Sequence, residues 1–337
     1  MNGLERMPSV RLLCTSGGRV AEVLAEHRGK VLGVISYSAS EPDFSSGDLI
    51  HVWVELEVFG EESCHEIWVS ENPVSVQRQD GFEYSSDGDF LFCRSLHGEC
   101  MLQGLELGAR SAYADLFDLL DRSGYPFLLR AWNYFPGIND AGRGIERYRE
   151  FNVGRHEAFC QKGRLIEEGN VPAACAIGTR RGGLVICFLA GRNKGMAIEN
   201  PRQVNAYRYP GKYGPKSPTF SRGMLVGDAL LISGTASIVG SETMHPGDVM
   251  RQLEETLENL RTVGSMARQA GFVAEDFRGL CLNVYLRSRE DFDSVRKRLE
   301  IEFGPHAKIF CMQAEICRTD LLVEIEAFWI PVGRKAA

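Results

Sequence analysis

The chain has 337 residues, 44% of them hydrophobic and 25% charged, with a formal net charge of −7. This is the make-up of an ordinary globular protein of about two domains, with enough apolar material for real cores. The acidic balance and the lack of a long basic run argue against nucleic acid as the main partner, and no stretch approaches the roughly 18 apolar residues of a membrane helix.

Residues 1–30 mix Arg6, Arg11, Arg19, Glu22, Glu26 and Arg28 with no sustained apolar run. No secretory leader is expected, and the ten cysteines read as free thiols of a reducing cytoplasm. Strand-prone runs follow at 31–37, 49–59 and 66–69, with a turn at 60–63, and a short one at 90–94. Cys93, His97 and Cys100 raise the idea of zinc, but only three ligands are local and no second pair follows, so no metal is expected. From 105 to 120 apolar residues recur at helical spacing, and Gly124 suits the helix end. A strand at 126–135, a helix at 145–162 and two strands within 172–190, around the turn at 180–183, complete this block.

A loop rich in Tyr, Pro, Gly and Arg spans 200–222, and then the order recurs. We expect a strand at 229–233, a helix at 247–270 closed by Gly271, a strand at 277–286, a helix at 290–303 and a final strand at 321–330. Strand, helix, strand, helix, strand thus occurs twice, which implies an internal duplication. In this alignment Ile186 stands where Glu324 stands, so only the second copy carries the acid. The expected fold is α+β: two mixed-sheet-plus-helix domains, 1–198 with extra N-terminal strands and 199–337.

Side chains on a strand alternate between faces. On the final strand Val323, Ile325 and Ala327 take the face expected under helices, and Glu324 and Glu326 share the other. Two carboxylates on one face of an apolar strand either meet solvent or arginines, or serve as an acid held in a cleft. Glu324 is the candidate general acid and Glu326 the candidate ion-pair partner. The glycine-containing GTASIVG at 234–240 lacks the lysine and helix start of a phosphate loop. Its small residues let a ligand approach the backbone. Cys317 is read as packing, not as a nucleophile.

The second copy, about 220–332, resembles the RidA/YjgF family through FSRG at 220–223, LISGTA at 231–236, Gln252 and Asn259 on one helix, NVY at 283–285 and LVEIEA at 322–327. That likeness implies small-molecule sites at subunit-type interfaces, and in some members imine deamination. The arginine those deaminases carry before the last strand is missing from KIFC at 308–311, which speaks against deamination. A resemblance over nearly the whole chain is to the chorismatases. Four blocks carry it: 146–159 (ERYREFNVGRHEAF), 199–218 (ENPRQVNAYRYPGKYGPKSP), 231–240 (LISGTASIVG) and 315–329 (EICRTDLLVEIEAFW). The resemblance implies cleavage of the enolpyruvyl ether of chorismate to pyruvate and a ring acid, with neither metal nor organic cofactor.

Chorismate is a small dianion, and arginine forks suit its carboxylates. Arg155 and Arg208 are the expected carboxylate binders, with Tyr207 and Tyr213 supplying rings and hydroxyls. The site is expected in a cleft between the copies, closed by the 200–222 loop. The resemblance also implies that Gly234 and Cys317 mark the type forming 3-hydroxybenzoate, with some 4-hydroxybenzoate from a competing elimination. Hydrolysis to a dihydroxycyclohexadienoate and a RidA-like binder or deaminase stay open as alternatives, as does assembly beyond one chain.

Overall fold

The computed structural model describes residues 10–44, 49–79, 81–95 and 104–331. His97 and Cys100, of the zinc reading, lie outside these. The N-terminal elements are β1 (Arg11–Ser16), α1 (Val20–Glu26), β2 (Val31–Ser38), β3 (His51–Glu55), β4 (Glu57–Val58) and β5 (Ser63–Val69). The middle block holds β6 (Ser75–Gln79), β7 (Phe82–Ser86), β8 (Phe90–Ser95), α2 (Leu105–Ser123), β9 (Phe127–Pro136), α3 (Arg147–Gln161), β10 (Ala173–Thr179) and β11 (Val185–Gly191). The last block holds β12 (Met196–Ile198), β13 (Gly223–Val226), β14 (Ala229–Ala236), the small pair β15 (Ile238–Val239) and β16 (Glu242–Thr243), α4 (Val249–Gln269), β17 (Leu280–Leu286), α5 (Phe292–Phe303), β18 (Lys308–Gln313) and β19 (Val323–Trp329).

The architecture is α+β, and the duplication is explicit in the topology. The middle sheet runs β10-β9-β11-β8-β7-β6, and the last sheet runs β18-β17-β19-β14-β13-β12 with β4 added at its edge. Each has one parallel pair (β9 with β10, β17 with β18) beside antiparallel neighbours. The ladders correct the alignment of the copies by one residue. Tyr134 pairs with Val185, as Tyr285 pairs with Glu324, so Val185, not Ile186, is the counterpart of Glu324. Ile186 lies on the opposite face, in the core under α2 and α3. A one-residue slip changes the face of every side chain.

The central strands are buried on both faces, and the alternation of their side chains builds the molecule in layers. Leu253, Leu257 and Val263 of α4 pack on Val323, Ile325 and Ala327, and α2 and α3 cover the outer face of the middle sheet. The inner faces of both sheets meet the N-terminal sheet β1-β5-β2-β3. Trp68, Trp132 and Phe328, one from each sheet, pack at ring centroids 5.4 to 6.1 Å apart. Large aromatic anchors of this kind bury some 150–250 Å² each, enough to fix the three sheets around one centre. Glu324 and Glu326 point toward that centre.

Candidate active site

The helices also pin the strands that carry the site. Buried Gln252 of α4 donates to Asp320 O at 2.8 Å and accepts from Leu322 N, holding the segment that leads into β19. About two turns further, Asn259 donates to Ala236 O and Ile238 O, fixing the end of β14. Between these anchors β14 bulges: Ile232 pairs with Ala327 but Thr235 pairs with Ile325. A bulge adds one residue and re-aims its neighbours. Here it sets Gly234 against Glu324, where a Cβ would run into Oε1 and fall 2.9 Å from Cδ. A side chain at 234 would therefore force the carboxyl group to shift.

A cavity of about 260 Å³ opens where the two blocks meet, close to the ~300 Å³ lower end of small-molecule sites. Its floor is Gly234, Ala236, Cys317 and Glu324. Its walls are Glu146, Tyr148 and Arg149 at the start of α3, and Tyr209, Tyr213, Phe220 and Arg222 of the connecting loop, with Arg318 beside the floor. Glu324 is 4% exposed. Burial and the neighbouring Glu326 carboxyl push its pKa up to about 8, against smaller opposing pulls from the Cys317 thiol, Arg130 and Arg287. The thiol donates weakly to Oε2 at 3.8 Å. Glu324 thus holds a proton at neutral pH, the condition for a general acid. Cys317 is itself raised by burial and by Glu324, so it stays a neutral thiol and is no nucleophile.

The cationic equipment sits opposite. Arg318 stacks over Tyr213 at 4.0 Å and Tyr209 at 5.3 Å, and its Nη1 donates to Ser241 O at 2.9 Å. Arg222 lies between Tyr209 and Phe220, donating from Nη2 to Val204 O and to the Tyr209 hydroxyl, both at 2.8 Å. Arg318 Nη2 and Arg222 Nε are buried and have no hydrogen-bond partner in the protein. Arg149 is tied to Glu146 at 3.1 Å. Aromatic faces and fixed acceptors preorganise these forks for a small anion.

Among the residues expected from sequence, the structure brings Glu324, Gly234, Cys317 and Tyr213 together and leaves three outside. Arg155 is a correction. It lies six residues beyond Arg149 on α3, about 9 Å along the axis, with its guanidinium 4.9 Å from the Tyr113 ring and near Phe151 and Phe159. Helix phase turns it into the aromatic layer between α2 and α3. Tyr207 and Arg208 are corrected likewise: they share the turn Ala206–Arg208, where Tyr207 accepts from Asn205 at 2.6 Å and exposed Arg208 stacks on Tyr207. Arg149, Arg222, Arg318, Tyr148 and Tyr209 were missed, although Arg222 stands inside the FSRG motif and Arg318 directly follows Cys317. No group of three or more metal-type ligands occurs among the described residues.

Comparison with known proteins identifies the family. The family model described as "Chorismatase FkbO/Hyg5-like, N-terminal" matches residues 66–190. A 3-hydroxybenzoate synthase of Streptomyces hygroscopicus is 39% identical over 315 residues, covering 88% of this chain and 90% of that protein. A chorismatase of Streptomyces rapamycinicus is 38% identical over 282 residues, 79% of this chain and 82% of the relative. The crystal structure of a chorismatase matches with a TM-score of 0.85 and 32% identity, over 96% of this chain and 99% of that one. The chain belongs to the chorismatase family.

Proposed function

We propose that the protein cleaves chorismate to pyruvate and 3-hydroxybenzoate, with Glu324 as general acid. The observation that carries this reading is a carboxyl group that keeps its proton to about pH 8, facing two guanidinium groups with unpartnered buried nitrogens across one small cavity. The chemistry matches the substrate. Arg222 and Arg318 hold the two carboxylates of the dianion, and the aromatic walls take the ring. Glu324 gives its proton to the methylene carbon of the enolpyruvyl group, which becomes the methyl of pyruvate. The neighbouring ring hydroxyl oxygen then attacks the ring carbon that bears the ether. The ether C–O bond breaks and its electron pair stays on the oxygen that becomes the ketone of pyruvate. The attacking oxygen now bridges two ring carbons. Its bond to the carbon that first carried it breaks, and the carbon that bore the ether gives up its hydrogen as a proton. The ring becomes aromatic with the hydroxyl at that carbon, the proton returning Glu324 to its starting state. Atoms balance without added water.

The floor of the cavity supports the product assignment. Gly234 gives the ring room beside the acid, and the Cys317 side chain fills the space next to Oε2 that an attacking water needs. A minor share of 4-hydroxybenzoate by competing elimination belongs to the same proposal. All nine cysteines among the described residues are free thiols, which suits a reducing cytoplasm, and no helix among them is long and apolar enough to cross a membrane. The reading is tested by adding chorismate to purified protein and following pyruvate with a coupled dehydrogenase and ring products by chromatography. Pyruvate with 3-hydroxybenzoate is expected. Folded protein that releases no pyruvate would overturn the activity, and the dihydrodiol as sole ring product would overturn the assignment of Gly234 and Cys317.

A further inference from the structure

Three carboxyl groups and one guanidinium meet between the inner faces of the sheets. Glu324 and Glu326 project the same way from β19, Glu66 faces them from β5 and Arg130 from β9. Arg130 and Glu326 are 0% exposed, and Glu66 is 1%. A buried carboxylate is costly unless it is paired. One guanidinium therefore allows one of the three acids to carry charge cheaply, and the geometry selects Glu326: burial raises its pKa, and the adjoining Arg130 is the main group that pulls it back down. Arg130 Nη2 lies 3.1 Å from Glu326 Oε2. Its Nη1 donates at 3.1 Å to Ile232 O, at the bulge that also brings Gly234 to Glu324. Its guanidinium is further held 5.3 Å from the rings of Trp132 and Phe328.

We propose that Arg130 and Glu326 are positioning residues for the acid: by pairing with each other they tie up the buried positive charge, so that Glu324 keeps its proton for the substrate. This rests on the reading of Glu324 as the acid. The groups around the pair leave that arrangement intact. Glu66 accepts from Tyr37 at 3.0 Å and from Asn283, and burial with the Glu326 charge raises its pKa to about 7. Burial also raises Tyr37, Tyr134, Tyr285 and Cys175, so none of them supplies a counter-charge. On the cavity side of Glu324, Arg287 is engaged by Leu321 O, Ile316 O, Arg318 O and Asn139. Arg318 and Arg222 face the tyrosines, and Arg149 is tied to Glu146. Tyr148 is raised by burial, and Asp320 accepts from Thr243.

The pair therefore has a signature that a merely structural role lacks. Glu326→Gln removes a negative charge beside Glu324 and leaves Arg130 without its partner. Both changes favour ionised Glu324, so the acid loses its proton at lower pH. The test compares the pH dependence of kcat for pyruvate release in wild type, Glu326→Gln and the double variant Arg130→Met/Glu326→Gln. The limb on which kcat falls with rising pH should move down by at least one pH unit in the single variant, about tenfold in rate at a fixed pH above the limb. In the double variant, which lacks both charges, it should return to near its wild-type position. An unmoved limb, or an equal loss at every pH, would overturn the proposal. If the variants do not fold, ¹³C NMR of labelled glutamate carboxyls in the wild-type protein decides, with Glu326 assigned through Glu326→Asp. Glu326 should stay ionised from pH 5 to 9, and a neutral Glu326 at pH 7 contradicts the pairing. Folded Glu324→Gln that releases pyruvate at the wild-type rate sinks the acid reading itself. A silent Glu324→Gln together with an unmoved Glu326→Gln limb sinks this proposal alone.

Discussion

Gly234→Ala perturbs the site at a single contact whose consequence can be worked through. The added methyl would overlap Glu324 Oε1 and lie 2.9 Å from Cδ, where carbon contacts settle at about 3.5–4.0 Å. The carboxyl must therefore retreat by about 1 Å. Its other flank is taken by Cys317 Sγ, 3.8 Å from Oε2, so the retreat is into an occupied side. A misplacement of about 1 Å in a catalytic group costs on the order of 100-fold in rate, or about 2.7 kcal/mol of barrier. KM should rise less than kcat falls, because the methyl displaces the acid directly and only narrows the room of the ring, while the nearest atoms it meets are those of Glu324. Removing the thiol as well opens the flank, so Gly234→Ala/Cys317→Ala should recover part of the lost kcat. It also leaves space for water beside the acid, and the ring product should shift toward the dihydrodiol. The assay is coupled pyruvate release with chromatography of the ring acids. A Gly234→Ala enzyme within about threefold of wild-type kcat, with unchanged product, would refute the argument from contact.

Further outcomes are expected. Glu324→Gln should lower kcat by about 10²- to 10⁴-fold, the span of a general acid, in protein that remains folded by circular dichroism. The same variant should change the pH dependence of stability. Because the folded pKa of Glu324 is raised to about 8, its contribution favours the folded state below the ordinary carboxyl range. Stability is lost as pH climbs from about 4.5 to 8, by about 1.4 kcal/mol per pH unit. Tm of wild type should therefore fall more steeply across that window than Tm of Glu324→Gln, and parallel curves would contradict the raised pKa. Arg318→Lys should weaken carboxylate binding and raise KM by about tenfold with a smaller change in kcat, since lysine lacks the fork. By contrast Arg155→Met should leave KM within about twofold and register instead in Tm, because Arg155 touches the rings of α2 and α3 and not the cavity.

The strongly periodic elements were legible in the sequence. The helices at α2, α3, α4 and α5 and the strands at β9, β14, β17 and β19 fall within a few residues of expectation, and Gly124 adopts the left-handed cap expected of it, at φ 77°. Elements whose identity depends on partners were less legible. β18 (KIFCMQ) is short, with four apolar residues in a row and no alternation, and became a strand by pairing with β17. The run 49–59 reads as one strand, but it turns at Leu56 and serves two sheets, β3 in the first and β4 at the edge of the last. Met196–Ile198 pairs with β13, so a boundary drawn in the turn at 192–195 rather than after 198 is our proposal for dividing the blocks.

The site shows the same division. Glu324 was visible because alternation put an acid on an otherwise apolar strand, and Gly234 and Cys317 were visible through the resemblance. Arg155 and Arg208 were not separable from Arg149, Arg222 and Arg318 by residue type. Helix phase moved the first into an aromatic layer, and a tight turn sent the second to solvent. The loop bearing Tyr209, Tyr213 and Arg222 acquires its direction from contacts such as Arg222 to Val204 O, which no local pattern encodes.

The central claim is that a protonated Glu324 drives pyruvate from chorismate, and rate measurements from pH 6 to 9 on wild type beside Glu324→Gln test it most directly. Wild type should yield pyruvate in an amount equal to the summed ring acids, with 3-hydroxybenzoate the main one, at a kcat that is level up to about pH 8 and then falls tenfold per pH unit, while Glu324→Gln stays near background throughout. A folded Glu324→Gln protein that matches the wild-type rate at any pH in that range would contradict it.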